Sequence, residues 1–358
     1  MKILASLSVL HCIVTKVLLH TFEACSVLQD FAYNFARTTL RTMSAMPAIE
    51  IIGLEKTYSV GFWRKRPKCA LRPLHLNVEE GEIFGFLGPN GAGKTTTLKM
   101  LMGLVFPSGG SARILGMDIN DPEVKAQIGF LPEQPYFYDY LTAHELLEYY
   151  GRLSGVLGKD LPQRVERVLG RVGLRDVRGV QLRKFSKGML QRAGIAQAIL
   201  HEPKVVFFDE PMSGLDPMGR REVRDLMEQL KQEGKTVFFS THILSDAEAL
   251  CDRVAVINLG ELKAVGAVAE LTSGVQGKIE IVWHGTAVPA SIRALGAECH
   301  VTGDTVRAVL SEESQDLALD ALRRERLHLI SLVPVRTTLE QYFVEKLKRA
   351  EKTAGSIA

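Results

Sequence analysis

The sequence lacks a long hydrophobic run and is poor in cysteine. A membrane-spanning helix needs roughly 18 consecutive apolar residues, and the longest candidate, residues 3–14, is interrupted by Ser6, Ser8 and His11. The 358 residues include only five cysteines, which are widely spaced and form no C-x-x-C pair. This pattern excludes a disulfide scaffold and a zinc ribbon, and it is typical of proteins in a reducing compartment.

Neither sign of charge is in excess. The chain has 44 Lys and Arg residues against 41 Asp and Glu residues, for a formal net charge of +3. Electrostatics therefore give no reason to expect nucleic acid as the main partner. A content of 46% hydrophobic and 24% charged residues is usual for globular proteins. At about 100–200 residues per domain, the length predicts two folded domains or one large domain with an appendage.

Residues 1–45 form an N-terminal extension that we expect to lie outside the fold. Every convincing strand and motif follows them, and Met43 and Met46 stand directly before the first strand. Three interpretations remain open for this segment: a start placed too far upstream, a flexible tail, and a targeting or membrane-surface segment.

Residues 46–271 alternate between strand and helix patterns, which predicts an α/β domain with a mostly parallel sheet. Residues 49–54 and 74–78 have the pattern of strands, and a basic segment, residues 63–68, is expected to form a loop between them. Strands that are buried on both faces have continuous apolar runs. Such runs occur at residues 83–87, 205–208, 236–239 and 254–257.

Two further regions have patterns of their own. A strand-poor stretch at about residues 134–190 predicts a helical subdomain, with its clearest helices at residues 145–150 and 163–172. Residues 278–349 follow the order β-α-β-β-α-β, which is typical of a ferredoxin-like α+β fold, and end in a helix at residues 338–349. This last region contains no cluster of His, Cys or carboxylate residues. We therefore expect a small accessory domain without chemistry of its own.

A phosphate-binding pattern, G-x-x-x-x-G-K-[ST], begins at Gly88 between a predicted strand and a predicted helix. Glycines let the backbone turn tightly and point its N–H groups at an anion, and the helix N-terminus adds positive potential. Lys94 is expected to reach the β- and γ-phosphates, and the Thr95 hydroxyl to hold Mg²⁺. The predicted nucleotide contacts are Gly88, Pro89, Asn90, Gly91, Ala92, Gly93, Lys94, Thr95 and Thr96. The motif alone indicates a nucleoside triphosphate and no more.

Two adjacent carboxylates, Asp209 and Glu210, follow the apolar run at residues 205–208. Asp209, at the end of a buried strand, can bind Mg²⁺ through its water shell. Glu210 can polarise a water for in-line attack on the γ-phosphate. Because the phosphate-binding loop is in the same chain, the pair predicts nucleotide hydrolysis rather than a solvated strand end.

The stretch Phe185-Ser-Lys-Gly-Met189 is similar to the LSGGQ signature of the ATP-binding subunits of ABC transporters. In register with the phosphate-binding loop and the paired carboxylates, it gives residues 48–271 a resemblance to that family. Ser186 and Gly188 match the family's phosphate-contacting residues, whereas a Lys and a Met replace the usual Gly and Gln. The form S-K-G-M-x-Q-R is familiar in the exporters whose permease is a separate subunit.

The resemblance implies roles for further residues. Tyr58 is at the position of the aromatic residue that stacks on adenine, although a half-buried tyrosine at a strand end would look the same. His242 resembles the switch histidine that bonds the γ-phosphate and steadies the catalytic Glu210. Lys94, Glu210 and His242 are thus the predicted catalytic residues, and residues 213–216 resemble the D-loop that couples the two sites of a dimer.

The metal ligand expected from the family's Q-loop is ambiguous in this sequence. The alignment favours Glu133 over Gln134 at the position of the metal-contacting glutamine. Both side chains offer an oxygen that could reach Mg²⁺ or the attacking water. Residues 135–138 follow with three aromatic side chains, which are suited to anchor a membrane partner.

The resemblance implies a fold, a function and partners. The fold is the P-loop NTPase core of ABC ATPases with its helical subdomain, followed by the small C-terminal α+β domain. The implied function is to bind and hydrolyse ATP with Mg²⁺ and so to power transport, with export favoured, through a separate integral-membrane permease. Residues 337–343 resemble the C-terminal extension common in subunits that pair with ABC-2-type permeases.

A single set of motifs requires a second copy of the chain, or a paralogous subunit, to complete two ATP sites. The expected location is the cytoplasmic face of the cell membrane, reached through the permease, with no role for nucleic acid. Two alternatives remain: a soluble ABC ATPase that acts on ribosomes or DNA, and a regulatory cassette that does not hydrolyse ATP. Glu210 argues against the second alternative, because cassettes without hydrolysis typically lack this carboxylate.

Overall fold

The computed structural model describes residues 46–61, 66–156, 158–272, 277–335 and 338–343. The predicted extension at residues 1–45 and the end of the predicted last helix, residues 344–349, lie outside the described residues. All elements named below belong to one unit, Ala48–Ala358. Among the described residues, no helix is both long enough and apolar enough to cross a membrane.

Strands and helices alternate through most of the described chain. The strands are β1 (Ile49–Val60), β2 (Arg66–Val78), β3 (Ile83–Leu87), β4 (Gly109–Ile114), β5 (Met117–Asp118), β6 (Ile128–Leu131), β7 (Val205–Asp209), β8 (Thr236–Thr241), β9 (Arg253–Asn258), β10 (Glu261–Ala267), β11 (Lys278–His284), β12 (Glu298–Thr302), β13 (Thr305–Ser311) and β14 (His328–Pro334). The α-helices are α1 (Lys94–Leu101), α2 (Ala143–Leu153), α3 (Asp160–Arg171), α4 (Lys187–Ile199), α5 (Pro217–Gln232), α6 (Leu244–Leu250), α7 (Val268–Thr272), α8 (Ala290–Arg293) and α9 (Gln315–Arg324). Residues 339–343 are also helical.

The central sheet has six strands in the order β10-β9-β3-β8-β7-β6. The strands from β9 to β6 are parallel, and β10 at the edge is antiparallel to β9. The prediction of a mostly parallel sheet is confirmed. Side chains of consecutive strand residues point to opposite faces of a sheet. In β8, Phe239 belongs to one apolar cluster and Phe238 to another, so both faces of the sheet are covered. Because both faces of the sheet are covered, the central strands have continuous apolar runs.

A second sheet, with the order β2-β1-β4-β5, is antiparallel and was not predicted from the sequence. Strand β1 continues to Val60, and β2 begins at Arg66. Residues 66–68 of the predicted basic loop are therefore strand, and the rest of that loop lies outside the described residues. The first residues of β2 are exposed, so no apolar alternation marks them. The pairing places Lys68 opposite Tyr58.

Helices α2, α3 and α4 lie in the chain between β6 and β7, and the helices predicted at residues 145–150 and 163–172 are confirmed as α2 and α3. Helix α2 begins with a reciprocal cap, because Glu145 N donates to Thr142 Oγ1 at 3.2 Å and Thr142 N donates to Glu145 Oε2 at 2.8 Å. The inward faces of the three helices share one apolar cluster with β7 and β8. This cluster fixes the signature segment, which starts α4, relative to the central sheet.

The C-terminal sheet is antiparallel and has the order β12-β13-β11-β14. With α8 between β11 and β12 and α9 between β13 and β14, the predicted order β-α-β-β-α-β is confirmed. The apolar side chains of this region form their own cluster, which includes the fully buried Trp283. Leu339 instead packs with side chains of β3, β9 and α6.

Candidate functional site

The phosphate-binding loop connects β3 to α1 and depends on its glycines. Gly91 and Gly93 have φ angles of 80° and 109°, which side chains rarely adopt. A Cβ atom on Gly88 would lie 2.3 Å from the carbonyl oxygen of Ile257, and one on Gly93 would lie 2.6 Å from that of Ala70. These close approaches leave room for glycine alone at both positions. The conformation of the loop therefore depends on its glycines.

The ammonium group of Lys94 folds back over this loop. Its Nζ donates to the carbonyl oxygen of Gly88 at 2.7 Å and lies 3.1 Å from Oε1 of Glu210. Both charged side chains are buried, at 5% and 7% exposure. The structure therefore brings together the lysine of the phosphate-binding loop and the predicted catalytic carboxylate.

Asp209 and Thr95 also meet at the carboxyl end of β7. The Thr95 hydroxyl donates to Oδ1 of Asp209 at 3.2 Å, and the Ser240 hydroxyl donates to the same oxygen at 2.5 Å. Ser240 was not predicted as a site residue, and it lies at the end of the neighbouring strand β8. Its hydroxyl orients the carboxylate that faces the phosphate-binding loop.

The backbone at Glu210 adopts a left-handed conformation, with a φ angle of 48°. This conformation is unfavourable for a residue with a side chain and is found preferentially at functional sites. The Glu210 N–H donates to Oγ of Ser240 at 3.0 Å, which holds the turn. Oε2 of Glu210 lies 2.8 Å from Nδ1 of His242, so a proton on Nδ1 is donated to the carboxylate. His242 remains 40% exposed.

A cavity of about 350 Å³ joins Tyr58 to the phosphate-binding loop. The half-buried Tyr58 ring has the Lys56 ammonium 5.1 Å from its centroid. On the opposite strand, Lys68, Cys69 and Ala70 also line the cavity. The sequence did not indicate these three residues, and only the pairing of β1 with β2 reveals them.

The signature residues Ser186 and Gly188 lie at the start of α4. Ser186 is the N-cap, and its Oγ accepts the N–H of Met189 at 3.2 Å. Among the hydrogen bonds and ion pairs of the described residues, none joins Ser186 or Gly188 to the phosphate-binding loop.

Glu133 and Gln134 are exposed and follow β6 after one intervening proline. Because β6 pairs in parallel with β7, both residues are at the edge of the sheet where Asp209 lies. The Tyr136 hydroxyl donates to Oε1 of Gln134 at 3.1 Å. Among the described residues, no hydrogen bond or ion pair joins either side chain to Asp209 or Glu210, so a metal-binding role for either residue stays a prediction.

Comparison with known proteins assigns the family. The model of the ABC transporter family matches residues 71–213. An uncharacterized ABC transporter ATP-binding protein of Synechocystis sp. is 43% identical over 302 residues, which are 84% of each chain. This chain belongs to the ATP-binding proteins of ABC transporters.

Two further similarities concern a transport protein and a solved dimer. The bacitracin transport ATP-binding protein BcrA of Bacillus licheniformis is 45% identical over 192 residues, or 53% of this ABC protein and 62% of the relative. The dimeric ATP-binding cassette MJ0796, bound to ADP and Pi in a post-hydrolysis state, is similar in structure. Its TM-score is 0.56 at 27% identity, over 62% of this chain and 98% of that chain.

As an ABC transporter ATP-binding protein, the chain binds and hydrolyses ATP and powers transport. Its α/β core is the P-loop NTPase fold of ABC ATPases, as the sequence predicts. Proteins of this kind form dimers and work with membrane permease components. The relatives do not favour an ATPase that acts on ribosomes or DNA, nor a regulatory cassette without hydrolysis.

Proposed function

We propose that this ABC ATPase hydrolyses ATP with Glu210 as the general base and drives export through a separate permease of the ABC-2 type. The observation that carries the catalytic part is the buried Glu210 carboxylate, with Lys94 on one oxygen and His242 on the other. The S-K-G-M form of the signature supports the direction of transport. We also propose residues 46–271 as the ATPase domain, its helical subdomain at about 134–190, and residues 278–349 as an accessory domain.

The catalytic roles follow from the contacts of these side chains. The Glu210 carboxylate can accept a proton from a water that attacks the γ-phosphate. His242 holds one carboxylate oxygen and thereby orients the group. The Lys94 ammonium, which already lies at the phosphate-binding loop, can neutralise negative charge on the phosphate oxygens.

We propose Mg²⁺ as the metal of this site, held by Thr95 and Asp209. A hydroxyl and a carboxylate 3.2 Å apart are the oxygen ligands that Mg²⁺ prefers, and they lie beside the phosphate-binding loop. When bound, the ion would neutralise charge on the β- and γ-phosphates. Glu133 or Gln134 remains the proposed further oxygen donor from the Q-loop.

The ATP site is proposed to be completed by a second copy of the chain or by a paralogous subunit. No hydrogen bond or ion pair of the described residues joins Ser186 or Gly188 to the phosphate-binding loop of their own chain, which leaves both residues available to the partner's nucleotide. The N-terminus of α4 directs N–H groups and positive potential outward, which suits a phosphate. Tyr58 is proposed to stack on the adenine of the ATP bound in its own chain.

The permease is proposed to dock at a groove beside the Q-loop, which would place this ATPase at the cytoplasmic face of the membrane. A cavity of about 580 Å³ there is lined by Tyr136, Phe137 and Tyr150, together with side chains of β6. Tyr136 is 87% exposed and is available to a partner. Phe137 was predicted as an anchor as well, but it packs inward, with its ring edge-on to Tyr150 at 6.2 Å.

Substitution of Tyr136 tests the docking site. The gene of the permease is sought first in the adjacent reading frame. When the permease is co-expressed with the ATPase, Tyr136→Ala should weaken co-sedimentation of the ATPase with membranes. Aromatic anchors at interfaces are often worth about 2 kcal/mol, or about a 30-fold loss of affinity. Phe106→Ala is the matched control, because Phe106 is also exposed, at 75%, but does not line this groove. Unchanged membrane binding of Tyr136→Ala would contradict the proposed site.

A further inference from the structure

The helix that follows His242 contacts the last described part of the chain. Helix α6 (Leu244–Leu250) contributes the buried Ala247 to an apolar cluster with side chains of β3 and β9 of the central sheet. Leu339, which is 1% exposed, belongs to the same cluster, and Phe343 packs against it. Residues 338–343 therefore pack against α6.

A polar contact fixes the position of this segment on α6. The Leu339 N–H donates to Oε2 of Glu248 at 3.1 Å, so the side chain of Glu248 reaches a free N–H at the start of the C-terminal helix. Thr338 and Gln341 cap each other, with Thr338 N to Gln341 Oε1 at 3.1 Å and Gln341 N to Thr338 Oγ1 at 3.2 Å. These hydrogen bonds therefore give the segment one defined position on α6, which apolar contacts alone would not.

The same cluster reaches both sides of the ATP site. Leu87 belongs to it and is the residue directly before Gly88, where the phosphate-binding loop begins. On the other side, α6 begins two residues after His242, and no side chain caps its N-terminus. Its first turn carries the buried Asp246, which pairs with Arg220 of α5 at 3.8 Å. The position of α6, and with it the turn that carries His242, thus depends on its packing partners.

We propose that residues 338–343 are a positioning element for His242 and thereby set the rate of ATP hydrolysis. Packed interiors transmit displacements because they leave few voids. Loss of the Leu339 contact lets α6 shift, and the 2.8 Å contact between His242 and Glu210 loosens with it. ATP binding depends on the phosphate-binding loop and Tyr58, so it is affected little. This inference rests on the proposed role of His242 beside Glu210, and it does not depend on the permease or on the direction of transport.

The test compares two leucine truncations in the full chain. Leu339→Ala should lower kcat about tenfold and leave the affinity for ATP within about twofold, because misplacement of a catalytic group by about 1 Å can cost up to about 10²-fold in rate. Leu322→Ala is the matched control, since Leu322 is 2% exposed but belongs to the separate cluster of the C-terminal sheet. Both variants are assayed at a temperature where circular dichroism shows them folded. An unchanged kcat for Leu339→Ala, or an equal loss in Leu322→Ala, overturns the proposal.

Substitutions of Glu248 keep the proposal testable if Leu339→Ala does not fold. Glu248→Ala removes the acceptor of the Leu339 N–H and should lower kcat at unchanged ATP affinity. Glu248→Gln keeps a side-chain oxygen in the same place and should restore kcat to within about twofold of the wild type. If Glu248→Ala and Glu248→Gln have the same kcat, or if ATP affinity falls in parallel with kcat, the segment does not position His242.

Discussion

The Nζ atom of Lys94 lies 3.1 Å from Oε1 of Glu210, and both side chains are almost fully buried. A buried charge that loses its partner is strongly destabilised, so each of these two residues depends on the other for its position. The pair joins the group proposed to meet the phosphates to the group proposed to meet the attacking water. In the proposed mechanism, this contact connects ATP binding to ATP hydrolysis.

The Mg²⁺ requirement should respond to the Thr95 hydroxyl. Thr95→Ala removes the oxygen that lies 3.2 Å from Asp209, whereas Thr95→Ser keeps it. Supporting contacts of a metal are commonly worth about 10–100-fold in affinity. The Mg²⁺ concentration for half-maximal ATPase activity should therefore rise about tenfold or more in Thr95→Ala and little in Thr95→Ser. Equal Mg²⁺ dependence in the two variants would contradict a metal contact at Thr95.

Stability of the protein should fall at mildly acidic pH because of His201. Burial lowers the pKa of His201 below its ordinary value of 6.5, and the nearby positive charges of Lys235 and Arg164 lower it further, against a contact with the Ile128 carbonyl that raises it. The unfolded chain takes up a proton near the ordinary pKa, while the folded chain does so only at lower pH. The contribution of neutral His201 to the free energy of unfolding is therefore fully present above about pH 6.5. It is lost as the pH falls from there through the pKa of His201 in the folded protein.

Thermal unfolding at pH 7.5 and at pH 5.5 measures this effect. The fall in Tm between the two pH values should be smaller in His201→Gln than in the wild type, since the glutamine does not titrate. Its amide can still donate to the carbonyl of Ile128, which lies 3.0 Å from Nε2 of the histidine. An identical fall in Tm for the two proteins would show that His201 does not cause the pH dependence.

The parts of the site that lie in contiguous motifs could be predicted from the sequence, because spacing alone determines them. Lys94 and the phosphate-binding loop are of this kind. The role of Ser240 could not be predicted, since a hydroxyl at the end of a buried strand has no pattern of its own. Tyr136 and Phe137 lie in an irregular loop without periodicity, so the sequence could not tell that one side chain faces outward and the other inward.

The same limit applies to the fold. The parallel strands were predictable from their continuous apolar runs, which follow from burial on both faces. The start of β2 (Arg66–Val78) is exposed and basic, so its strand character comes only from pairing with β1. The wall around Cys69 of the cavity beside the phosphate-binding loop depends on that pairing, and it was therefore also missed.

The central claim is that Glu210 is the general base, and single-turnover hydrolysis by Glu210→Gln tests it most directly. A carboxamide cannot take the proton of the attacking water, so the rate of ATP cleavage should fall by about 10²–10⁴-fold. ATP affinity should stay close to that of the wild type, because the glutamine keeps a side-chain oxygen that can accept from the Lys94 ammonium. The variant should accumulate as an ATP-bound dimer in gel filtration. Cleavage of ATP by Glu210→Gln at the wild-type rate would contradict the account.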